Sequence, residues 1–139
     1  MRLRSDSFAD GGRIPGGLAL ASIDPAHHVR LPANRNPHLA RSEAPGGTRQ
    51  GINDCTAWFR GDHDMEGDHC GYDGPCPPWN DALVHRYVFT IHALDIDALP
   101  LDGRFTGADV RRAIAGHVRA KASISGSDAL NPRFAGQGE

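Results

Sequence analysis

Apolar residues along this chain are gathered into a few short blocks, and the clearest block has a period of two. In residues 85–94, His85, Tyr87, Phe89, Ile91 and Ala93 alternate with Arg86, Val88, Thr90 and His92. Successive strand side chains point to opposite faces, so the block predicts a strand whose first face starts polar and becomes apolar further in. Its β-branched and aromatic content suits the same conformation. A second block follows a helical period. Val110, Ala113, Ile114, His117 and Val118 recur at spacings of three and four, and Thr106 precedes them with Asp109 three positions on. That predicts a helix capped at Thr106, with Asp standing where Glu or Gln completes the usual capping box, and running to about residue 120.

The remaining signals are weaker. Residues 18–23 read as a strand stopped by Asp24-Pro25, residues 13–15 and 38–41 as short extended pieces, and residues 122–126 as a final strand. Residues 44–84 hold many Gly, Pro, Asp and Asn and almost no apolar periodicity. Within them, 49–84 form a Gly/Pro/Asp-rich loop, and one of such length in a compact domain is either functional or poorly ordered. Trp58-Phe59 inside it is expected to anchor the loop on the body of the domain.

Composition narrows the class. A chain of 139 residues fits one domain, 1–139. Its 17 glycines and 10 prolines favour a mainly β or α+β domain over a helical bundle. A net charge of −2, with Lys121 the single lysine, argues against a nucleic-acid binder. No stretch approaches the about 20 apolar residues of a membrane span. Arg2 and Arg4 have no apolar region behind them, so a secretory leader is not expected and the cytoplasm is the expected location. Cys55, Cys70 and Cys76 form no Cys-x-x-Cys pair, which points to reduced thiols and calls for no disulfide framework, structural zinc or cofactor.

Candidate chemistry sits just ahead of the predicted strand, in Gly74-Pro75-Cys76-Pro77-Pro78. Proline fixes φ and removes a donor, so this segment is stiff and can hold a pocket rim in place. His85 and Tyr87 can donate to phosphate or carboxylate oxygens, and Gly74 would let a ligand approach the backbone between the rim residues Pro77 and Pro78. The plainer alternative makes His85 a strand-edge residue and Tyr87 part of the core. Asp62-His63-Asp64 and Asp68-His69-Cys70 offer potential ligands for zinc or another divalent ion, although such a Gly-bounded polar loop is usually solvated surface and the Cys and His spacings fit no recognised site. There is no Gly-x-Ser-x-Gly or other nucleophile context, so the chain is read as non-enzymatic. Cys76 would be reactive only with a lowered pKa.

Three blocks carry a family resemblance. The first joins Phe8-Ala9-Asp10-Gly11-Gly12-Arg13-Ile14-Pro15 to Asn34-Arg35-Asn36-Pro37-His38-Leu39 and Ala44-Pro45-Gly46-Gly47-Thr48. The second is the Gly-Pro loop with His85-Arg86-Tyr87. The third runs from Leu94-Asp95 through Leu99-Pro100 and the helix to Ala122-Ser123-Ile124-Ser125-Gly126. In these the chain resembles the phosphatidylethanolamine-binding proteins, in their bacterial branch related to Raf-kinase inhibitors. The resemblance implies an antiparallel Greek-key β-sandwich with a C-terminal helix and a pocket for small anionic or phosphate-containing ligands. It implies Gly74, Pro77, Pro78, His85 and Tyr87 as ligand-binding residues, and in some relatives inhibition of a kinase or protease by surface contact.

The chain departs from the family near residue 49. Thr48 runs through Arg49-Gln50 into Gly51-Ile52-Asn53-Asp54, with no Asp-Pro-Asp-x-Pro anywhere, and neither Trp58 nor Trp79 follows a histidine. An acidic residue and a histidine of the family's anion pocket are absent with that segment. Central strands would be absent too, leaving exposed edges, so marginal stability or self-association is expected. Two readings therefore stand beside an anion-binding protein: a degenerate or oligomeric interaction protein without a working pocket, and a metal-binding protein using the Asp/His loop.

Overall fold

The computed structural model describes residues 2–37 and 49–134; the extended piece expected at 38–41 lies outside them. The described elements are mainly strands, with two short helices. They are β1 (Ser22–Asp24), β2 (His28–Arg30), α1 (Cys55–Trp58), β3 (His85–Leu94), α2 (Gly107–Ala113) and β4 (Val118–Asp128). β1 pairs antiparallel with β2, and β3 pairs with β4. The chain divides into two compact units, one of Met1–Glu43, Gly74–Ile91 and Ala122–Glu139, the other of Ala44–Asp73 and His92–Lys121.

The first unit holds the core. Phe8, Ile14, Leu18 and Ile124 pack together, and Leu3, Tyr87 and Phe89 lie against them. The Phe8 and Phe89 rings are 5.6 Å apart. Gly126 permits this packing, because a Cβ there would stand 2.5 Å from Cγ1 of Ile14. Ile14 donates its N–H to Ser127 at 2.8 Å and Ser127 donates to Gly12 at 2.9 Å, so residues 12–14 border β4.

No strand covers 18–23. Gly16–Leu18 makes one 3-10 turn, and extended pairing begins only at Ser22. Leu18, Ala19 and Ala21 are all buried, and the backbone N–H groups of Leu20 and Ala21 both donate to the Pro75 carbonyl, at 3.0 and 3.2 Å. This apolar run fills a core, and its backbone is satisfied by the proline loop instead of by a sheet partner. β1 then turns into β2 through an Asp24 carboxylate that accepts the N–H groups of Ala26 and His27, at 2.8 and 3.0 Å.

The second unit is built differently: none of its described residues is buried. Ile52 donates its N–H to Phe105 at 2.7 Å and is bridged to Cys70 and Thr106. The Asn53 side chain accepts from the N–H of Cys55 (3.0 Å) and donates to the Gly71 carbonyl (3.2 Å) and the Asp73 carboxylate (2.8 Å). Trp58 does not anchor this loop, since 70% of it is exposed. Phe59 takes the packing role, its ring 5.2 Å from that of His69.

The Thr106 cap forms as expected. Thr106 Oγ1 accepts from the Asp109 N–H, and the Asp109 carboxylate accepts the Thr106 N–H at 2.8 Å. The helix is nevertheless shorter than its apolar stripe. Gly116, at φ +82°, takes the chain out of the helix, so His117 lies in the turn and Val118 opens β4. Periodicity alone could not see a strand starting inside the same stripe.

Candidate functional site

The proline loop is fixed by its backbone. Pro75 and Pro77 are buried while Pro78 is exposed. The Gly74 N–H donates to Asn34 Oδ1 at 2.9 Å. A Cβ on Gly74 would stand 2.2 Å from the Leu18 carbonyl oxygen, so the close approach this glycine permits is to the Leu18–Ala19 backbone. The loop delivers the chain to β3, where His85 Nε2 meets the Asp81 carboxylate at 2.6 Å. Asp81 is itself held through its carbonyl by Asn131 Nδ2, at 2.8 Å.

A hollow of about 360 Å³ opens at the start of β3, lined by Gly11, His85, Arg86, Ser125 and Ser127 among others. Arg86 Nη2 donates to Ser125 Oγ at 3.0 Å. Ser125 in turn donates to Asp10 from its N–H (2.8 Å) and its hydroxyl (3.0 Å), and these bonds hold the Asp10 carboxyl below the usual carboxylate range. The Arg86 guanidinium and the Ser125 hydroxyl thus meet beside this space, His85 borders it at the head of β3, and two of the nearby carboxylates, Asp10 and Asp81, are engaged.

Side-chain pairing settles which residues share a face. Arg86 bonds Ser125, and Thr90 meets Ser123 at 2.8 Å, so even-numbered β3 residues stand with odd-numbered β4 residues. Strand alternation then puts His85, Tyr87 and Phe89 with Ile124, Gly126 and Asp128 on the opposite, core-facing side. Tyr87 accordingly shares His85's face but packs towards the core and does not line the hollow. Its phenol accepts the Cys76 N–H, and burial, reinforced by the charge of Asp128, pushes it up to about 12. It is a neutral hydroxyl at any ordinary pH. Burial likewise pushes the Cys76 thiol up, the reverse of an activated nucleophile.

Of the sequence-predicted residues, His85 borders the hollow with its imidazole held by Asp81, Pro77 and Gly74 lock the loop behind it, Pro78 lies at the surface, and Tyr87 stands inward. Arg86 and the serines are additions. Arg86 was visible beside His85, but its pairing with Ser125 depends on the β3–β4 register, which sequence spacing does not reveal. Asp128 was also missed. It is only 5% exposed, its Oδ1 lies 3.8 Å from Arg13 Nε, and its Oδ2 has no hydrogen-bond partner.

The Asp/His loop does not assemble a metal centre. His63 pairs with Asp64 at 2.9 Å in the open, Asp68 pairs with Arg104, and His69 bonds the Met65 carbonyl at 2.8 Å. Among the described residues no three His, Cys, Asp or Glu side chains converge to hold an ion. The second unit has a wider hollow of about 660 Å³ whose wall includes Asn53, Phe105 and Arg111. There Arg49 lies 4.9 Å over the Phe105 ring and donates to the carbonyls of Leu101 and Gly103. No described helix is long and apolar enough to cross a membrane.

A sequence profile described as phosphatidylethanolamine-binding protein matches residues 18–127. The UPF0098 protein YbhB of Escherichia coli is 46% identical over 55 residues, 40% of this chain and 34% of that protein. A UPF0098 protein of Methanothermobacter thermautotrophicus is 38% identical over 82 residues, 59% of this chain and 44% of that protein. The chain therefore spans less than half the length of either relative. Among solved structures, E. coli YbcL, described as a member of the mammalian family, aligns with a TM-score of 0.60 at 18% identity, over 92% of this chain and 97% of that one. The homologue CT736 of Chlamydia trachomatis aligns at 0.58 and 20%, over 91% and 95%. At such identities these likenesses speak to the fold.

Proposed function

The chain belongs to the phosphatidylethanolamine-binding protein family, and from that premise we propose that it is a non-enzymatic binding protein for small phosphate-like anions. We read its strands as parts of the family's Greek-key sandwich. The observation that carries the reading is the hollow at the head of β3, where the Arg86 guanidinium joins the Ser125 hydroxyl, with His85 and Ser127 along its border. A guanidinium presents several N–H donors in a planar fork, which suits a tetrahedral oxyanion. One of those donors goes to Ser125, and the others can serve a ligand. Ser125, oriented by Asp10, fixes where Arg86 points. Tyr87 acts from behind, as a packed neutral residue that keeps β3 in place. Inhibition of a kinase or protease by surface contact remains a further expectation of the family, with the loop around exposed Trp79 as the adjoining surface.

Titration with inorganic phosphate, followed by amide and imidazole NMR shifts, tests the reading. Shifts centred on His85, Arg86 and residues 125–127, lost in Arg86→Gln, are expected. Silence at millimolar phosphate would leave the protein without a working anion site.

A further inference from the structure

Asp128 is the least explained polar group in the first unit. It closes β4, stands on the same face as His85 and Tyr87, and is 5% exposed with Oδ2 unpartnered. Arg13 is 3.8 Å from Oδ1, long for a hydrogen-bonded pair. A buried carboxylate left half-satisfied is costly, and the cheaper state is the neutral acid. Burial indeed raises this carboxyl, against a backbone bond from Ala129 and the charges of Arg13 and His85.

We propose, resting on the anion-binding reading above, that Asp128 is a proton-linked control on the hollow from the other face of the strand pair: an anion beside Arg86 binds together with a proton taken up at Asp128. The physical reason is a shared field. An anion arriving at Arg86 meets the negative potential of ionised Asp128 across β4, whose residues 124–126 and 128 are buried, so screening along that path is weak. Protonating Asp128 removes that repulsion, and occupancy of the hollow in turn favours the protonated form, since linkage is reciprocal. The groups facing Asp128 are Arg13 from residues 12–14, His85 and Tyr87 from β3, and Cys76 from the proline loop. Tyr87 and Cys76 are neutral near pH 7, and Arg13 keeps its charge. His85, joined to Asp81, is a further ionisable side chain on that face.

Sulfate is the probe, because it does not titrate in the range of interest. Calorimetric titrations in buffers of different ionisation heat, across pH 4.5 to 8, count protons taken up on binding. Wild-type protein is expected to bind more tightly as pH falls, by up to tenfold per pH unit for one linked proton. Asp128→Asn should bind more tightly than wild type at pH 8 and lose most of that slope, keeping only what His85→Gln removes. Carboxyl carbon NMR of the ligand-free wild type, which needs no variant to fold, should place Asp128 above an ordinary aspartate and shift it further up with sulfate. Binding with the same slope in wild type and Asp128→Asn, or an Asp128 carboxyl that sulfate does not move, overturns the control and leaves the anion site standing. Failure of sulfate to bind either protein at any pH removes the anion site and the control together.

Discussion

The two units of this chain are held by different forces. Every buried residue described belongs to the first, around Phe8, Ile14, Leu18 and Ile124. The second has none, and it relies on Asn53 bridging a loop, Arg49 gripping two carbonyls, the Thr106–Asp109 cap, and Asp95 joined to His117 and Arg119. Burial is non-directional and indifferent to pH, whereas these bonds are directional, exposed and partly ionic. The first unit should therefore survive acid and salt that loosen the second, and the hollow at the head of β3 lies in the sturdier part.

The largest effect should come from the core. Ile14→Ala removes a residue that is 1% exposed and is expected to cost about 2–5 kcal/mol, seen as a lower denaturation midpoint. Asn53→Ala should cost less, about 1–3 kcal/mol, because Asp73 and the Gly71 carbonyl lose a donor. Faster amide exchange confined to residues 51–73 would sharpen the contrast between the units, and exchange rising equally throughout would break it.

Acidification comes next. The Asp95 carboxyl is held down by its bonds to His117 and Arg119, and Asp109 by those from Thr106. A depressed carboxyl stabilises the folded form above its unfolded value of about 3.9, and that contribution is lost as pH falls through the folded value. Exchange protection in the second unit should fade first below about pH 4. Asp10 and Asp24 pull the same way in the first unit, but its apolar core does not titrate and Asp128 has the opposite sign. With a raised folded value, Asp128 costs stability as pH climbs past its unfolded value. The smallest expected effect follows: Asp128→Asn melts slightly higher than wild type at pH 7, and the difference vanishes below about pH 4. A variant that melts lower at pH 7 would mean the carboxylate is better satisfied than its lone Oδ2 indicates.

What the sequence disclosed follows the same division. β3 was legible to the residue at both ends because period two, β-branching and the proline loop all agreed. The Thr106 cap was legible because its bonds are local. Residues 18–23 misled because a buried apolar run looks alike whether it forms a strand or fills a core around the Pro75 carbonyl. At the site, His85 could be named from its place at the strand's head. Ser125, Ser127 and Asp128 could not, since their partners lie some 40 positions or more away and depend on register.

The aromatic rings carry a practical consequence. Trp79 lies face to face with His28 at 4.6 Å in the first unit, and Trp58 stands outward in the second. These are the chain's 2 tryptophans, one to each half, so intrinsic fluorescence offers a separate optical channel for each. Indole emission from Trp58 should resemble that of a water-bathed fluorophore, while that of Trp79 should change when its stacked imidazole is lost in His28→Ala. Replacing either tryptophan by phenylalanine turns the protein into a single-colour reporter of the half that keeps its indole.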